Sequence, residues 1–260
     1  MTDDTHLEVR DVDLNFGGLK ALDDCSFTAR KGLVTCLAGP NGAGKTTIFN
    51  VITGFLKPGS GTIRFRGEAI DALSPKERVA RGIARTFQDL RLFTEMSVSD
   101  NVVIYVPDDS GSGPLAALVR PFAAARSLRA KREKAVAVLE RVGLGHKVDA
   151  PVTSLSYGQQ KLLCIARVLA TGAEMLLLDE PTSGLSQSAL HEMVAAVERL
   201  KADGHTLLIV EHNTRVVTRI ADEIVFLHRG HAIRQGAPEV ILSDPELERI
   251  YFGGVVEPAA

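Results

Sequence analysis

The first third of the chain carries the period-two alternation of apolar and polar positions that is typical of half-buried β-strands. A continuous apolar run, Leu33–Ala38, then ends in a glycine-rich loop. The next segment, Thr46–Thr53, has apolar residues at helical spacing, so the pattern predicts a buried strand that leads directly into a helix. The alternating segments predicted as strands are Leu7–Phe16, Cys25–Ala29 and Thr62–Arg66.

The last third contains two further apolar runs, Met175–Leu178 and Thr206–Val210, with the helical pattern Ala189–Leu200 between them. A strand–helix–strand order of this kind favours parallel pairing of the two strands through a right-handed crossover. Closer to the C-terminus, Glu223–Leu227 and Ala232–Gln235 flank a short turn. This arrangement predicts an antiparallel hairpin before a terminal helix.

The middle of the chain is helical in pattern. Apolar residues at helical spacing mark a helix that ends near Gly143, and we interpret residues from about 90 to 170 as a helical subdomain inserted into an α/β core. Between Leu115 and Arg141, seven Arg or Lys residues stand against two Glu residues. Such an excess indicates either a solvated helix face or a surface that contacts lipid headgroups or an anionic partner.

Composition limits the classes of protein to which the chain can belong. The 260 residues suit one large domain or a core with an inserted subdomain, and 45% hydrophobic residues allow a sizeable core. The net charge of −2 does not provide the overall basic field expected of a nucleic-acid-binding protein. Cys25, Cys36 and Cys164 are far apart along the chain, so we expect reduced, buried thiols rather than a disulfide framework or a zinc site.

No segment of the sequence has the features of a secretory signal or of a membrane span. The N-terminus lacks a basic region followed by an apolar one, and no uninterrupted apolar run approaches the roughly 20 residues that cross a bilayer. A role at a membrane would therefore require docking on another protein.

The segment Gly39–Thr47, GPNGAGKTT, satisfies the phosphate-binding pattern GxxxxGK[ST] and lies between the predicted strand and helix. Its glycines let the backbone curl so that successive N–H groups and the helix N-terminus face one cluster of anionic oxygens. Lys45 would supply a point charge to the β- and γ-phosphates, and the Thr46 hydroxyl would bind Mg²⁺. The predicted nucleotide-binding residues of this loop are Gly39, Pro40, Asn41, Gly42, Ala43, Gly44, Lys45, Thr46 and Thr47.

A phosphate loop of this kind also needs a carboxylate at the end of a neighbouring strand. The apolar run Met175–Leu178 is followed by Asp179 and Glu180. We assign Asp179 to the magnesium shell and Glu180 to the general base that polarises an attacking water.

The segment Leu155–Gln160, LSYGQQ, resembles the signature sequence of ATP-binding cassette (ABC) ATPases. Ser156 and Gly158 open a predicted helix, Gly158–Leu169, where small side chains and free N–H groups let a phosphate approach. In that family the signature caps the γ-phosphate held by the phosphate loop of the opposite subunit. The resemblance therefore implies ATP contacts from Ser156, Gly158 and Gln159, and a dimer as the hydrolysing unit.

Three more residues match positions of the ABC family. Gln88, in RTFQ, resembles the glutamine that contacts the metal and the attacking water and senses the membrane partner. His212, in LIVEHN, follows a predicted strand and resembles the switch histidine that touches the γ-phosphate. Phe16 stands where the family has an aromatic that stacks on adenine, although an apolar strand end could also hold a core phenylalanine.

The family resemblance implies a fold and a division of the chain. The fold is α/β, with a P-loop NTPase (RecA-like) core, an antiparallel β subdomain and an inserted α-helical subdomain. Residues 1–89 and 171–260 would form the β subdomain and the core, and residues from about 90 to 170 would form the helical subdomain that carries the signature.

Two positions depart from the common ABC pattern, and one of them indicates the subfamily. Ser186 replaces the acidic or amide residue usual after Ser183-Gly184-Leu185, and Tyr157 replaces the commoner glycine of the signature. Together with FGGLKAL, RTFQ and the ending DPELERIYFGG, the LSYGQQ segment resembles the ATP-binding subunits of importers for branched-chain or hydrophobic amino acids.

This resemblance implies ATP and Mg²⁺ as cofactors and a set of partners, with no nucleic acid among them. The partners are a second ABC ATPase subunit, the same or paralogous, transmembrane permease subunits and, indirectly, a periplasmic substrate-binding protein. The location would be the cytoplasmic face of the inner membrane. The alternatives are an ABC ATPase for another solute such as urea, one for lipopolysaccharide export, and a non-transport ABC scaffold protein.

Overall fold

The structure is a computed structural model that describes residues 4–108 and 121–252. Its strands are β1 (Thr5–Phe16), β2 (Leu19–Arg30), β3 (Val34–Ala38), β4 (Ser60–Phe65), β5 (Glu68–Ala69), β6 (Ile83–Arg85), β7 (Met175–Asp179), β8 (Thr206–Val210), β9 (Glu223–His228) and β10 (His231–Gly236). Its α-helices are α1 (Lys45–Ile52), α2 (Pro75–Ala80), α3 (Val98–Val103), α4 (Pro121–Arg141), α5 (Tyr157–Ala170), α6 (Gln187–Ala202), α7 (Thr214–Ile220), α8 (Pro238–Leu242) and α9 (Pro245–Phe252).

The strands form two sheets. The first is antiparallel with the order β2-β1-β4-β5, and the second has the order β10-β9-β3-β8-β7-β6. In the second sheet β3 runs parallel to β8 and β9, and β7 runs parallel to β6 and β8. The predicted parallel pairing across α6 and the predicted antiparallel hairpin of β9 and β10 are both confirmed.

The second strand of the chain is longer than the pattern predicts. The sequence indicates a strand only over Cys25–Ala29, whereas β2 begins at Leu19 and pairs with β1 from there to Arg30. Lys20, Asp23 and Asp24 stand among the apolar residues at the start of β2 and conceal it in the sequence. Of the side chains from Leu19 to Asp24 only Leu22 is buried, and backbone pairing with β1 defines the strand there.

The parallel sheet separates two hydrophobic clusters, which explains why its strands are continuous apolar runs. Along β7, Met175 and Leu177 pack with α1 and the antiparallel sheet, whereas Leu176 and Leu178 pack with α5, α6 and α7. Because successive side chains of a strand point to opposite faces, a strand covered on both sides needs apolar residues at every position. The protein is therefore layered as sheet, helix, sheet and helices.

The segment between the two halves of the core contains α3, α4 and α5, which pack on one another through apolar residues such as Ala135 and Leu139. The helix predicted to end near Gly143 is α4, which ends at Arg141. The exact limits of a separate helical subdomain stay a prediction.

Most described cations of α4 have carboxylate partners. Ion pairs join Arg129 to Glu133, Lys131 to Asp108, Arg132 to Asp149 and Arg141 to Asp203. This pairing favours the solvated helix face over the surface for lipid headgroups, while Arg120 and the neighbouring positions lie outside the described residues.

The three cysteines are free and buried, as expected from their spacing. Burial raises the pKa of the Cys25 thiol to about 12 and that of the Cys164 thiol to about 11. Within residues 4–108 and 121–252, none of the helices combines the length and the apolar character that a membrane crossing requires.

The order of the strands assembles the candidate site at one edge of the parallel sheet. The glycine-rich loop follows β3, Asp179 and Glu180 close β7, and His212 follows β8. The carboxyl ends of parallel strands lie at the same edge, which is where open α/β sheets bind their ligands.

Candidate active site

The glycine-rich loop between β3 and α1 adopts backbone conformations that require its glycines. Gly39, Gly42 and Gly44 have φ values of 141°, 79° and 104°. A Cβ atom on Gly39 would lie 2.1 Å from the carbonyl oxygen of Leu227, so no side chain fits at this position. The loop therefore holds the tight curl that the GxxxxGK[ST] pattern predicts.

The turn between β9 and β10 is hydrogen-bonded to this loop. The Gly230 N–H donates to the Ala43 carbonyl at 3.0 Å, and the Gly230 carbonyl accepts from Asp23 N–H at 3.1 Å. Gly230 has a φ of 86°, and a Cβ there would lie 2.9 Å from the Leu22 Cα. The sequence predicts a hairpin turn here, but it does not predict the contact of Gly230 with the phosphate-binding loop.

Lys45 begins α1 with its ammonium group turned back across the loop. Its Nζ donates to the carbonyl oxygens of Gly39 and Pro40 at 2.7 and 2.8 Å, and the residue is 7% exposed. Burial lowers the pKa of this ammonium, while the nearby carboxylates of Glu180 and Asp179 act in the opposite direction.

The N-terminus of α1 completes a site suited to an anion. No side chain of the described residues caps this end of α1, and its first turn holds no acidic residue. The first N–H groups of a helix lack intrahelical acceptors and carry a partial positive charge. Together with the buried Lys45 cation, whose hydrogen-bond partners are carbonyl oxygens rather than carboxylates, they fit a phosphate chain.

The three residues predicted to hold magnesium are oxygen donors near the same edge. Thr46 is exposed at the start of α1, and Asp179 and Gln88 line one narrow cleft. A hydroxyl, one carboxylate and an amide suit Mg²⁺, which usually takes one or two carboxylates and completes its shell with phosphates and water.

Arg85 lies against the predicted metal carboxylate. Its Nη2 is 3.2 Å from the Asp179 Oδ2, and its Nη1 donates to the Asn50 Oδ1 at 2.6 Å. Burial raises the pKa of the Asp179 carboxyl, and the guanidinium opposes that shift. Arg85 is not among the predicted site residues, although it lies three residues before Gln88 in the RTFQ motif.

Glu180 and His212 are in direct contact. Their Oε1 and Nε2 atoms are 3.0 Å apart, and both side chains are partly exposed. Glu180 has a φ of 47°, and its carbonyl oxygen accepts from the Lys161 Nζ at 2.9 Å. The same ammonium donates to the Ser183 carbonyl at 2.7 Å, so a lysine from α5 fastens the turn that presents the predicted base.

The signature residues form a local cap at the start of α5. The Ser156 Oγ accepts from the Gln159 N–H at 3.3 Å, and the Gln159 Oε1 accepts from the Ser156 N–H at 3.1 Å, which is a capping box. A Cβ on Gly158 would lie 2.6 Å from the Ala189 Cβ, so this glycine lets α5 approach α6. Ser156 is exposed, whereas Gly158 is buried against α6.

Comparison with known proteins agrees with this site. A family model described as ABC transporter matches residues 22–183. The chain belongs to the ABC transporter family.

The chain is similar over nearly its whole length to two curated ABC proteins. It is 37% identical over 249 residues to the high-affinity branched-chain amino acid transport ATP-binding protein LivG of Salmonella typhimurium, covering 95% of this chain and 97% of that protein. It is 38% identical, with the same coverage, to the corresponding protein BraF of Pseudomonas aeruginosa. The subfamily indicated by LSYGQQ and the accompanying motifs is thereby confirmed.

A solved ABC structure shares the fold. The ADP conformation of an ATP-binding cassette of an ABC transporter is 36% identical to this chain, with a TM-score of 0.82, and covers 96% of this chain and 99% of that one. The predicted fold class is confirmed, and the chain is an ATPase of the ABC type.

The structure shows the surroundings of Phe16 and Ser186, two residues whose roles the sequence leaves open. Phe16 is 49% exposed at the end of β1 and is therefore not a core residue. Ser186, which replaces the usual acid or amide, is the N-cap of α6, where its Oγ accepts from the Ala189 N–H at 3.4 Å. The substitution thus keeps a capping oxygen in a shorter, uncharged side chain.

Proposed function

We propose that this chain is the ATP-binding subunit of an importer for branched-chain or other hydrophobic amino acids. One observation carries the proposal above the others: the similarity to LivG and BraF extends over 95% of the chain. The name of each of these relatives describes it as an ATP-binding protein for branched-chain amino acid transport.

The residues of the loop and of the two strand ends support a defined division of labour. The loop N–H groups and the Lys45 ammonium bind the nucleotide phosphates. Glu180 accepts the proton of the attacking water at its carboxylate, and His212 orients that carboxylate through their hydrogen bond. A Mg²⁺ ion held by Thr46, Gln88 and Asp179 would neutralise phosphate charge when bound.

A second ATPase subunit, the same or paralogous, completes the proposed site. The support is the LSYGQQ motif together with the structure of its cap. Since Ser156 and Gln159 already bond to each other, the helix start is preorganised, and its exposed serine lies at the surface. In the proposed dimer, Ser156, Gly158 and Gln159 contact the phosphate held by the partner's loop, and Phe16 stacks on the adenine of the chain's own nucleotide.

A surface pocket beside Gln88 supports docking of a permease. Exposed rings of Phe55 and Phe87, with Val79 and Tyr105, line a pocket of about 260 Å³. Exposed apolar side chains gathered in a concave surface are typical of sites that bind another protein. Permease subunits docked there would place this chain at the cytoplasmic face of the inner membrane, and a periplasmic binding protein would deliver the solute.

Reconstitution tests the transport proposal. The chain would be co-expressed with candidate permease subunits, purified in detergent and placed in liposomes with a binding protein. We expect ATP-dependent uptake of radiolabelled leucine that is lost in Glu180→Gln. ATP-dependent uptake of urea without uptake of leucine would contradict the proposed solute class. Failure of the chain to form a complex with any of the permease subunits would contradict the transporter role.

A further inference from the structure

Arg85 connects three parts of the molecule that the proposed mechanism treats separately. At the end of β6, its guanidinium reaches the carboxylate of Asp179 on β7 and the amide oxygen of Asn50 on α1. Its side chain is 6% exposed, so these bonds form in a nearly dry environment. Because α1 begins with the phosphate-binding lysine, one guanidinium fastens the phosphate loop's helix to the strand that carries the predicted metal ligand.

Three aromatic rings lie close to the same guanidinium. Its central carbon lies 4.8 Å from the ring centre of Phe87, 5.7 Å from that of Phe49 and 6.0 Å from that of Phe55. Phe55 and Phe87 pack edge to face at 5.6 Å, and both are about half exposed in the surface pocket beside Gln88. A cation over aromatic rings is attracted by their electron-rich faces.

The geometry at Asp179 indicates what these contacts do. Arg85 contacts the Oδ2 of the carboxylate and thereby leaves Oδ1 for a metal ion. A guanidinium is a planar fork with fixed donor directions, so its bond to Asn50 also sets the direction of its bond to Asp179. Residues that hydrogen-bond to a metal ligand orient that ligand, and their loss typically lowers metal affinity or activity 10–100-fold.

We propose that Arg85 is a positioning residue that holds the Asp179 carboxylate in the orientation a nucleotide-bound Mg²⁺ requires. Phe55 and Phe87 make that orientation depend on the surface pocket, because a partner that displaces either ring also displaces the guanidinium. The inference rests on the proposed function in one respect only, namely that the chain binds ATP together with Mg²⁺.

Equilibrium binding of a fluorescent ATP analogue, measured against Mg²⁺ concentration and again in excess EDTA, tests the role of Arg85. In Arg85→Met we expect the Mg²⁺ concentration at half-saturation to rise at least about tenfold, while the metal-free affinity changes less than about twofold. Arg85→Lys keeps the charge but loses the fork, so its midpoint should lie between those of Arg85→Met and the wild type.

Arg81→Met is the matched control, since Arg81 is an arginine four residues earlier that pairs with Glu68 away from the site. It should keep the wild-type midpoint. A wild-type midpoint in both Arg85 variants would overturn the positioning role.

The aromatic contacts are tested at Phe87, whose ring is about half exposed. Phe87→Ala removes an exposed ring and should raise the Mg²⁺ midpoint about two- to fivefold. Phe122→Ala is its control, because Phe122 is 91% exposed on α4. If Arg85→Met fails to fold, Arg85→Lys and Phe87→Ala decide, and unchanged midpoints in both would overturn the inference.

The outcomes separate this inference from the proposed function. A wild-type protein that fails to bind the ATP analogue both with Mg²⁺ and in EDTA contradicts the proposed function itself. The other outcome is a wild-type protein whose binding of the ATP analogue clearly depends on Mg²⁺. If the Arg85 and Phe87 variants then show the same Mg²⁺ dependence as the wild type, only the role of Arg85 is overturned.

Discussion

Replacing Glu180 by glutamine removes the proposed proton acceptor of the site and leaves the shape of the site nearly unchanged. The amide is isosteric with the carboxylate and can still meet the His212 Nε2, which lies 3.0 Å from Oε1. It cannot accept a proton from water at neutral pH, however. General-base assistance is worth about 10²–10⁴-fold in rate, which corresponds to about 3–5 kcal/mol of barrier.

The same substitution should preserve ATP binding. The phosphate loop and Lys45 form their hydrogen bonds without the Glu180 side chain. The carboxylate also contributes a negative charge near the Lys45 ammonium, and it is one of the groups that raise that lysine's pKa. Removing this charge reduces the repulsion felt by bound phosphates, so affinity for ATP should stay equal to that of the wild type or increase.

The assay combines steady-state phosphate release with size-exclusion chromatography in ATP and Mg²⁺. Glu180→Gln should lose at least about 99% of turnover, as the lower limit for general-base catalysis requires, and should accumulate as an ATP-bound dimer. Glu192→Gln is the matched control, because Glu192 is exposed on α6. Hydrolysis close to the wild-type rate in Glu180→Gln would refute the role of Glu180 as the base.

Three further predictions concern residues around the nucleotide. Phe16→Ala should weaken ATP binding about five- to 150-fold without lowering thermal stability, because stacking of an exposed ring on a base contributes about 1–3 kcal/mol. Unchanged affinity in a titration would remove Phe16 from the site. Lys161→Met should lower kcat about tenfold at unchanged ATP affinity, since the ammonium donates to the Glu180 carbonyl. Lys161→Arg should restore part of kcat. Equal losses in kcat and ATP affinity would indicate a general folding defect. Gly230→Ala should lower the melting temperature more than Gly204→Ala, because both glycines have a φ of 86° but only a Cβ on Gly230 would lie within 3.0 Å of backbone atoms, which belong to β2. Equal shifts in calorimetry would show that this close approach of the turn to β2 adds nothing.

The parts of the fold and site that the sequence predicts are carried by contiguous segments. Each of these segments is at most about ten residues long. They are the glycine-rich loop between a strand and a helix, the two acids after an apolar run, and the cap before a helix. Lys45, Asp179 and His212 follow or end β3, β7 and β8, and the carboxyl ends of parallel strands lie at one edge of the sheet. His212 is predicted through the resemblance to the ABC family.

The missed residues are those whose partners are distant in sequence. Arg85 and Asp179 are separated by 94 positions, and their pairing depends on β6 and β7 being neighbours in the sheet. Lys161 donates to the carbonyl of Glu180, 19 positions away. Because every residue type has a backbone carbonyl, the sequence does not indicate such an acceptor. Gly230 is similar, because a turn glycine looks the same whether or not its N–H supports another loop.

Asp179 and Glu180 are adjacent in the chain, yet different elements hold them. Asp179 contacts Arg85, whose guanidinium also lies close to the aromatic rings of the surface pocket. Glu180 is held by His212 after β8 and, through its carbonyl, by Lys161 on the helix that carries the signature. In the proposed mechanism a displacement in the pocket would therefore act on the metal ligand, whereas a displacement of α5 would act on the base. If Asp179 and Glu180 act as proposed, hydrolysis would depend on two separate surfaces of this chain, the aromatic pocket and α5.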